Sequence, residues 1–344
     1  MRNSLLFFLL LVIRTAGAQN VYEQSIVMIA HDHRFRAENF DGKNDFTEMV
    51  EAGITVKTVC LTTDIQDWSL GKVVRLETDS AIQTNFGYTS WTAFFEGRLN
   101  TLTGEAAKPN STILIIKRKN DVYRAKKKRK AGLLLGTEGV RFLNGSLEKL
   151  SIYHRKGLRH LQLYREPIAQ GAAITEEGIT EFGKNLIRNC NSLGIALDVT
   201  HIQNLKNGNA ILREVIQASE KPVMFSHQHG KEFGGALTDE QIIAVAKSGS
   251  GHGVIAFHLI ENFVKPADIQ TLLAIIRHIK SLVGIDHIAI GADYSPTSAY
   301  RWVLRDYREF PRLAKAMEDD GFTPTEIEKV LGLNLLEFYN YSWK

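Results

Sequence analysis

Five stretches of the chain end in side chains that can hold a metal ion or move a proton. They are His31-Asp32-His33, Glu138 in Leu133-Leu-Leu-Gly-Thr-Glu-Gly139, His201 in Leu197-Asp-Val-Thr-His201, His227 in Val223-Met-Phe-Ser-His227, and Asp293 in Ile288-Ala-Ile-Gly-Ala-Asp293. Each follows a short apolar run. One histidine after such a run is usually a satisfied rim or core residue; five separate placements of this kind are hard to reach by accident. Imidazole and carboxylate ligands suit Zn²⁺ and similar divalent ions. A carboxylate such as Glu138 can bridge two ions, and two ions can clamp a water and activate it for hydrolysis. Residues two apart on a strand face the same side, so His31 and His33 can both turn inward.

The elements that must position these residues read as alternating strands and helices. Strands are expected at Ile26–Ala30, Val56–Leu61, Gly132–Gly136, His160–Leu163, Ala196–Val199, Val223–Ser226, Val254–Phe257 and Ile288–Gly291. Helical patterns follow at Thr175–Leu193, Asn209–Ala218, Thr238–Ser248, Pro266–Val283 and Thr323–Tyr339. The alternation argues for βα units around a parallel sheet. Eight such strands fit one α/β domain, a (β/α)8 TIM barrel, whose catalytic residues sit at the C-terminal rim of the strands. Thr112–Ile116 also has strand character and would make nine; it is read as an excursion outside the barrel.

The chain opens with Met1-Arg-Asn-Ser, an apolar run Leu5–Ile13 and Ala16-Gly17-Ala18, the pattern of an export signal too short to span a bilayer. Cleavage is expected near Ala18. Residues 1–18 are then a signal peptide, residues 19–344 are the barrel, and the mature protein is secreted or periplasmic. Cys60 and Cys190 make no disulfide framework and are expected as buried free thiols. The run Lys126-Lys-Lys-Arg-Lys130 reads as the solvated face of a helix. No aromatic stacking residues accompany it, so no nucleic-acid partner is expected. His229 and His258 fall near the rim and could touch substrate. The other histidines carry no strand-end placement.

From Ala131 to the C-terminus the chain resembles the membrane (renal) dipeptidase family of binuclear zinc peptidases, a branch of the amidohydrolase-like barrels. The matching stretches are Gly136-Thr-Glu-Gly139, Thr180-Glu-Phe-Gly183, Asn191–His201, Pro222–His227, Val283–Asp293 and Leu331-Gly-Leu-Asn-Leu-Leu336, with fainter similarity over 26–64. The resemblance implies a metal-dependent hydrolase that cleaves a small peptide or amide C–N bond with two Zn²⁺ ions. It implies His31 and Glu138 on one ion, and Glu138, His201 and His227 on the second. It gives Asp293 the handling of protons at the water and the leaving amine. The partners expected are a small peptide-like substrate and a second copy of the chain.

Three departures from the family stand out. Its first motif is His-x-Asp, and here the Asp is His33, which can still serve as a zinc ligand. The histidine that stabilises the tetrahedral intermediate after the fourth strand is Arg165 when aligned on Gly157-Leu-Arg-His-Leu-Gln-Leu163. An arginine can stabilise an oxyanion or bind an anionic substrate but cannot release a proton at neutral pH. The substrate-holding arginine after the sixth-strand histidine is lost in the shortened segment 230–236, and the Asn-Thr-Pro-Trp-like loop is replaced by Glu166-Pro-Ile-Ala-Gln-Gly171. These changes bear on dipeptide specificity more than on metal binding. They also open a second reading: a non-catalytic or repurposed binding protein that keeps the barrel.

Overall fold

The structure, a computed structural model, describes residues 18–35, 44–168 and 170–343. The export signal lies outside these residues up to position 17. Nine strands form the main sheet: β1 (Met28–Asp32), β2 (Val56–Thr63), β3 (Ile113–Ile115), β4 (Ala131–Glu138), β5 (His160–Gln162), β6 (Ala196–Asp198), β7 (Val223–Phe225), β8 (Val254–His258) and β9 (Ile288–Gly291). Eight close into a parallel ring, β1-β2-β4-β5-β6-β7-β8-β9, with β9 returning to β1 through Ile290 and Ile29. All eight barrel strands read from the sequence are present.

The ninth strand corrects one expectation, because Thr112–Ile116 does not stand outside the wall. Its core, β3, pairs with the lower half of the β4 edge whose upper half meets β5. The backbone bonds show this directly. Ala131 donates to Thr112 O and Ile116 to Leu133 O, while higher on the same edge Arg159 donates to Leu135 O. Strand propensity locates an element but does not say which edge it will fill.

Inward and outward residues alternate along the barrel strands, as strand geometry requires. The outer faces (Val59, Leu61, Leu133, Leu135, Leu197, Ile255) pack under the helices. The inner positions Met28, Ala30, Leu134, Ala196, Met224, Ala256 and Ala289 form a second cluster with Leu335, Leu336, Phe338 and Tyr339 of the C-terminal helix Asn334–Ser342. That helix is the floor of the barrel. The helix expected over Thr323–Tyr339 is therefore interrupted: a π turn at Lys329–Leu333 lets the chain swing under the strands. Gly332 permits the approach, since a Cβ there would lie 2.3 Å from Ile26 O.

The helix expected over Thr175–Leu193 begins later, at Glu181. Ile174–Thr175 and Gly178–Ile179 pair as a short hairpin first, and Thr180 caps the helix. Thr238 and Thr323 each form a full capping box, with Gln241 and Glu326. Cys60 and Cys190 are buried free thiols. In the basic run Lys127, Lys128 and Arg129 face solvent, and Lys126 donates to Glu23 O and Ser25 O. Among the described residues, no helix is long and apolar enough to cross a membrane.

Candidate active site

Strict alternation would turn His31 outward, because Ala30 already faces inward. The β1–β2 register shifts between Ile29 and Asp32, and this irregularity turns His31 and His33 into the barrel and Asp32 out of it. Asp32 is anchored there by buried groups. Tyr307 donates its hydroxyl to Asp32 Oδ2 at 2.9 Å, and Lys57 Nζ lies 3.4 Å from Oδ1 and ion-pairs with Asp45. The outward carboxylate thus fixes the two imidazoles on either side of it. Trp68 packs on the His33 ring with centroids 4.5 Å apart.

The residues read from the five strand ends meet at one point above the strands. Glu138, the last residue of β4, stands at the centre. Its Oε1 lies 2.9 Å from His201 Nε2 and 3.6 Å from His227 Nε2, and its Oε2 lies 3.5 Å from His33 Nε2. His31 Nε2 is 3.2 Å from His33 Nε2, and His227 Nε2 is 3.1 Å from His201 Nε2. Asp293 closes the ring, with Oδ1 3.2 Å from His33 Nε2 and 3.8 Å from His31 Nε2. His201 and Asp293 hold left-handed backbone angles, φ 74° and 51°, which are uncommon for residues other than glycine and collect at functional sites.

Burial decides much of the protonation. It pushes His31 and His258 down to about 4 and His227 well below the ordinary histidine value. These imidazoles are therefore neutral at pH 7, each with one unprotonated ring nitrogen. Burial also works to lower His33, but the Asp293 hydrogen bond and the Glu138 charge outweigh it and hold His33 above its usual value. For Glu138 burial works upward, and Arg165, His201 and the neighbouring imidazoles hold it well below the carboxylate range.

Within the site two groups could hold a cation: His31, Glu138 and His227, and His31, His33 and Asp293. The buried oxygen Glu138 Oε2 accepts no hydrogen bond. An ionised oxygen kept from water without a donor is costly, and a cation among the facing imidazoles removes that cost. The nitrogen and carboxylate donor set fits zinc.

Arg165 turns into the site. Its Nε lies 3.0 Å from Glu138 Oε1 without the alignment of a hydrogen bond, so that contact is ionic. Its Nη1 donates to Glu166 at 2.8 Å. Its side chain is largely buried and turned away from solvent. His258 lines the cavity with Nε2 3.5 Å from Asp293 Oδ2. Its Nδ1 accepts from Ile260 N–H at 3.3 Å, which leaves the ring proton on Nε2, the nitrogen on the Asp293 side. His229 is buried behind it, accepting from His258 N–H, and does not line the cavity.

The cavity over these residues measures about 280 Å³ and is bordered by Trp68, Phe263, Ser295 and Tyr300. Small-molecule sites run roughly 300–1,000 Å³, so this one suits a small ligand. A larger groove of about 580 Å³ lies among Tyr22, Lys126 and Arg308 and contains none of the converging residues. Sequence reasoning missed Trp68, Asp198 and Ser226, which shape or support the site. Asp198 and Ser226 had a visible signal, as polar residues at inward positions of otherwise apolar strands.

Fold and site together define a (β/α)8 barrel with a candidate metal centre at its C-terminal rim. The chain belongs to the membrane dipeptidase family (peptidase family M19), whose family model matches residues 38–340. It is 24% identical over 228 residues to dipeptidase tcpJ of Claviceps purpurea, covering 63% of this chain and 52% of that protein. It is 25% identical over 229 residues to dipeptidase 3 of Homo sapiens, covering 61% and 45%. The chain thus spans about half the length of these curated relatives. The probable dipeptidase PvdM from Pseudomonas aeruginosa has the same fold at TM-score 0.76 and 14% identity, over 95% of this chain and 97% of that one. So does a metallopeptidase from Rhodobacter sphaeroides liganded with a phosphinate mimic of the dipeptide L-Ala-D-Ala, at TM-score 0.73 and 16% identity, over 93% and 100%.

Proposed function

We propose that this protein is a zinc-dependent dipeptidase or related amidohydrolase that hydrolyses a small peptide or amide C–N bond. The observation that carries the reading is Glu138, one carboxylate facing His33 with Oε2 and His201 and His227 with Oε1. In this reading His31, His33 and Glu138 hold one ion, and Glu138, His201 and His227 hold the other. The ions, when bound, supply Lewis acidity that polarises the scissile carbonyl and activates water. Asp293 takes the proton of the attacking water and returns it to the leaving amine, held in place by the His258 Nε2–H. Membership of a dipeptidase family, the small cavity and the retained converging set favour an enzyme over a binding protein.

The test is metal content and activity in one preparation. Protein made without chelator should carry about two zinc ions per chain and hydrolyse members of a panel of dipeptides and N-acyl amino acids. Less than half an ion per chain, or no turnover when fully loaded, overturns the reading. Residues 1–18 are read as the export signal of a secreted or periplasmic enzyme, so mature protein recovered from the host should begin at Gln19.

Arg165 sets the substrate class in this reading. Beside two dications its guanidinium needs negative partners, and Glu138 and Glu166 already supply them. A substrate carboxylate entering the cavity would find in Arg165 a cation pinned at the cavity wall. Arg165→Ala is expected to weaken carboxylate ligands by more than the ~1 kcal/mol ceiling of an exposed ion pair. Arg165→His should shift activity toward ordinary dipeptides. Unchanged affinities and rates in both variants would remove Arg165 from substrate recognition.

A further inference from the structure

Beneath the candidate ligands a chain of polar groups crosses the barrel interior, where every neighbour is buried. Ser226, with no exposed surface, stands at its upper end. Ser226 Oγ lies 2.8 Å from His227 Nδ1, 3.2 Å from His31 Nδ1 and 2.5 Å from Asp198 Oδ2. Thr200 Oγ1 is farther, at 3.4 Å, and Cys60 Sγ lies beside both ring nitrogens of His31, 3.4 Å from Nδ1 and 3.5 Å from Nε2, in line with neither.

The proton positions follow from which groups can donate. Asp198 Oδ1 accepts from Thr200 N–H at 2.9 Å, Thr200 O–H at 2.6 Å and Ser226 N–H at 3.3 Å. Asp198 Oδ2 faces Ser226 Oγ and His160 Nε2, the latter at 3.3 Å. A carboxylate that collects this many donors accepts only, so the Ser226 hydroxyl proton points to Asp198. A hydroxyl has one proton and two lone pairs. Both lone pairs of Ser226 then face imidazole Nδ1 atoms, and each imidazole must carry its proton there. That leaves Nε2 unprotonated on both rings. The two Nε2 atoms are the ones that face the other candidate ligands, His31 toward His33 and His227 toward Glu138 and His201.

We infer that Ser226 is a positioning residue whose single hydroxyl holds His31 and His227, one ligand from each ion's set, in the form that binds metal through Nε2. Carboxylates and carbonyls that fix one ligand's tautomer are a general feature of metal sites; here one hydroxyl serves two ligands. The chain continues downward in the same direction. His160 Nδ1 accepts from the Tyr339 hydroxyl at 3.1 Å, and Thr58 Oγ1 pairs with Tyr339 at 2.8 Å. Gly136 leaves the room for His160, since a Cβ there would lie 2.9 Å from the imidazole ring.

The inference rests on the dipeptidase reading only in taking the Nε2 atoms as metal ligands. The experiment titrates Zn²⁺ into metal-free parent protein, Ser226→Ala and Asp198→Asn against a chromophoric chelator. It also records the Co²⁺ visible spectrum and the metal-free thermal midpoint of each. Ser226→Ala should weaken both ions by the roughly 10–100-fold typical of losing such a support, with altered Co²⁺ bands. Asp198→Asn keeps the volume but turns an amide N–H toward Ser226. The hydroxyl proton must then go to one imidazole, and one ion should weaken while the other is kept. This variant also decides the matter if Ser226→Ala does not fold. Parental affinity for both ions in either variant, or a lower midpoint with unchanged affinity and spectrum, overturns the inference and leaves Ser226 a packing residue. A parent that binds no zinc overturns the dipeptidase reading instead.

Discussion

Glu138→Ala is expected to leave the protein with almost no bound metal, whereas His33→Ala should keep at least one ion per chain. The difference follows from geometry. Glu138 is the only carboxylate, among the described residues, that faces imidazoles on both sides of the centre: His201 and His227 through Oε1, and His33 through Oε2. Removing it takes a ligand from both proposed ions and leaves Arg165 beside them with Glu166 as its remaining close counter-charge. His33 meets His31, Asp293 and the Oε2 face of Glu138, so its loss spares the set built on His201, His227 and Oε1. Metal analysis of both variants after gel filtration measures this. Equal loss, or greater loss for His33→Ala, would contradict a bridging Glu138.

Asp293→Asn is expected to lower turnover by the roughly hundredfold or more typical of lost general acid–base help, with metal content near the parent's. Asparagine keeps the volume, and it keeps an oxygen that His258 Nε2–H or His33 can donate to, but it cannot take up and return a proton. The same carboxylate could also join His31 and His33 around a cation, so metal content and rate belong in one measurement. Lost turnover with retained metal assigns Asp293 to proton transfer. Lost metal makes it a ligand, and retained activity refutes the proton-transfer role.

Much of this arrangement was legible in the sequence because the barrel imposes a simple rule. Strands alternate in and out, and their carboxyl ends share one rim. Apolar runs ending in His31, Glu138, His201, His227 and Asp293 therefore point to a common place before any coordinates exist. Where the rule is broken the sequence is silent. The register shift at β1 turns His31 inward against the alternation, and the reading that His31 and His33 share a face was right without accounting for Ala30. β3 was visible as a strand, yet nothing in its residues tells which half of which edge it fills. Arg165 could be placed near the rim, but its inward turn depends on the Glu138 and Glu166 carboxylates waiting there. Asp198, Ser226 and His160 lie below the rim, and their partners, Tyr339 above all, come from far along the chain.

The floor of the barrel has a consequence in time. Tyr339 and its helix are made after every candidate ligand, from His31 to Asp293. Until that helix swings beneath the strands, the apolar interior around Met224 and Leu134 is open to water and His160 has no hydroxyl to lean on. The centre therefore cannot mature ligand by ligand as synthesis proceeds. It is completed only once residues 334–342 have been made and packed beneath the strands, so chains truncated before residue 334 should carry none of the metal that the full chain is proposed to hold.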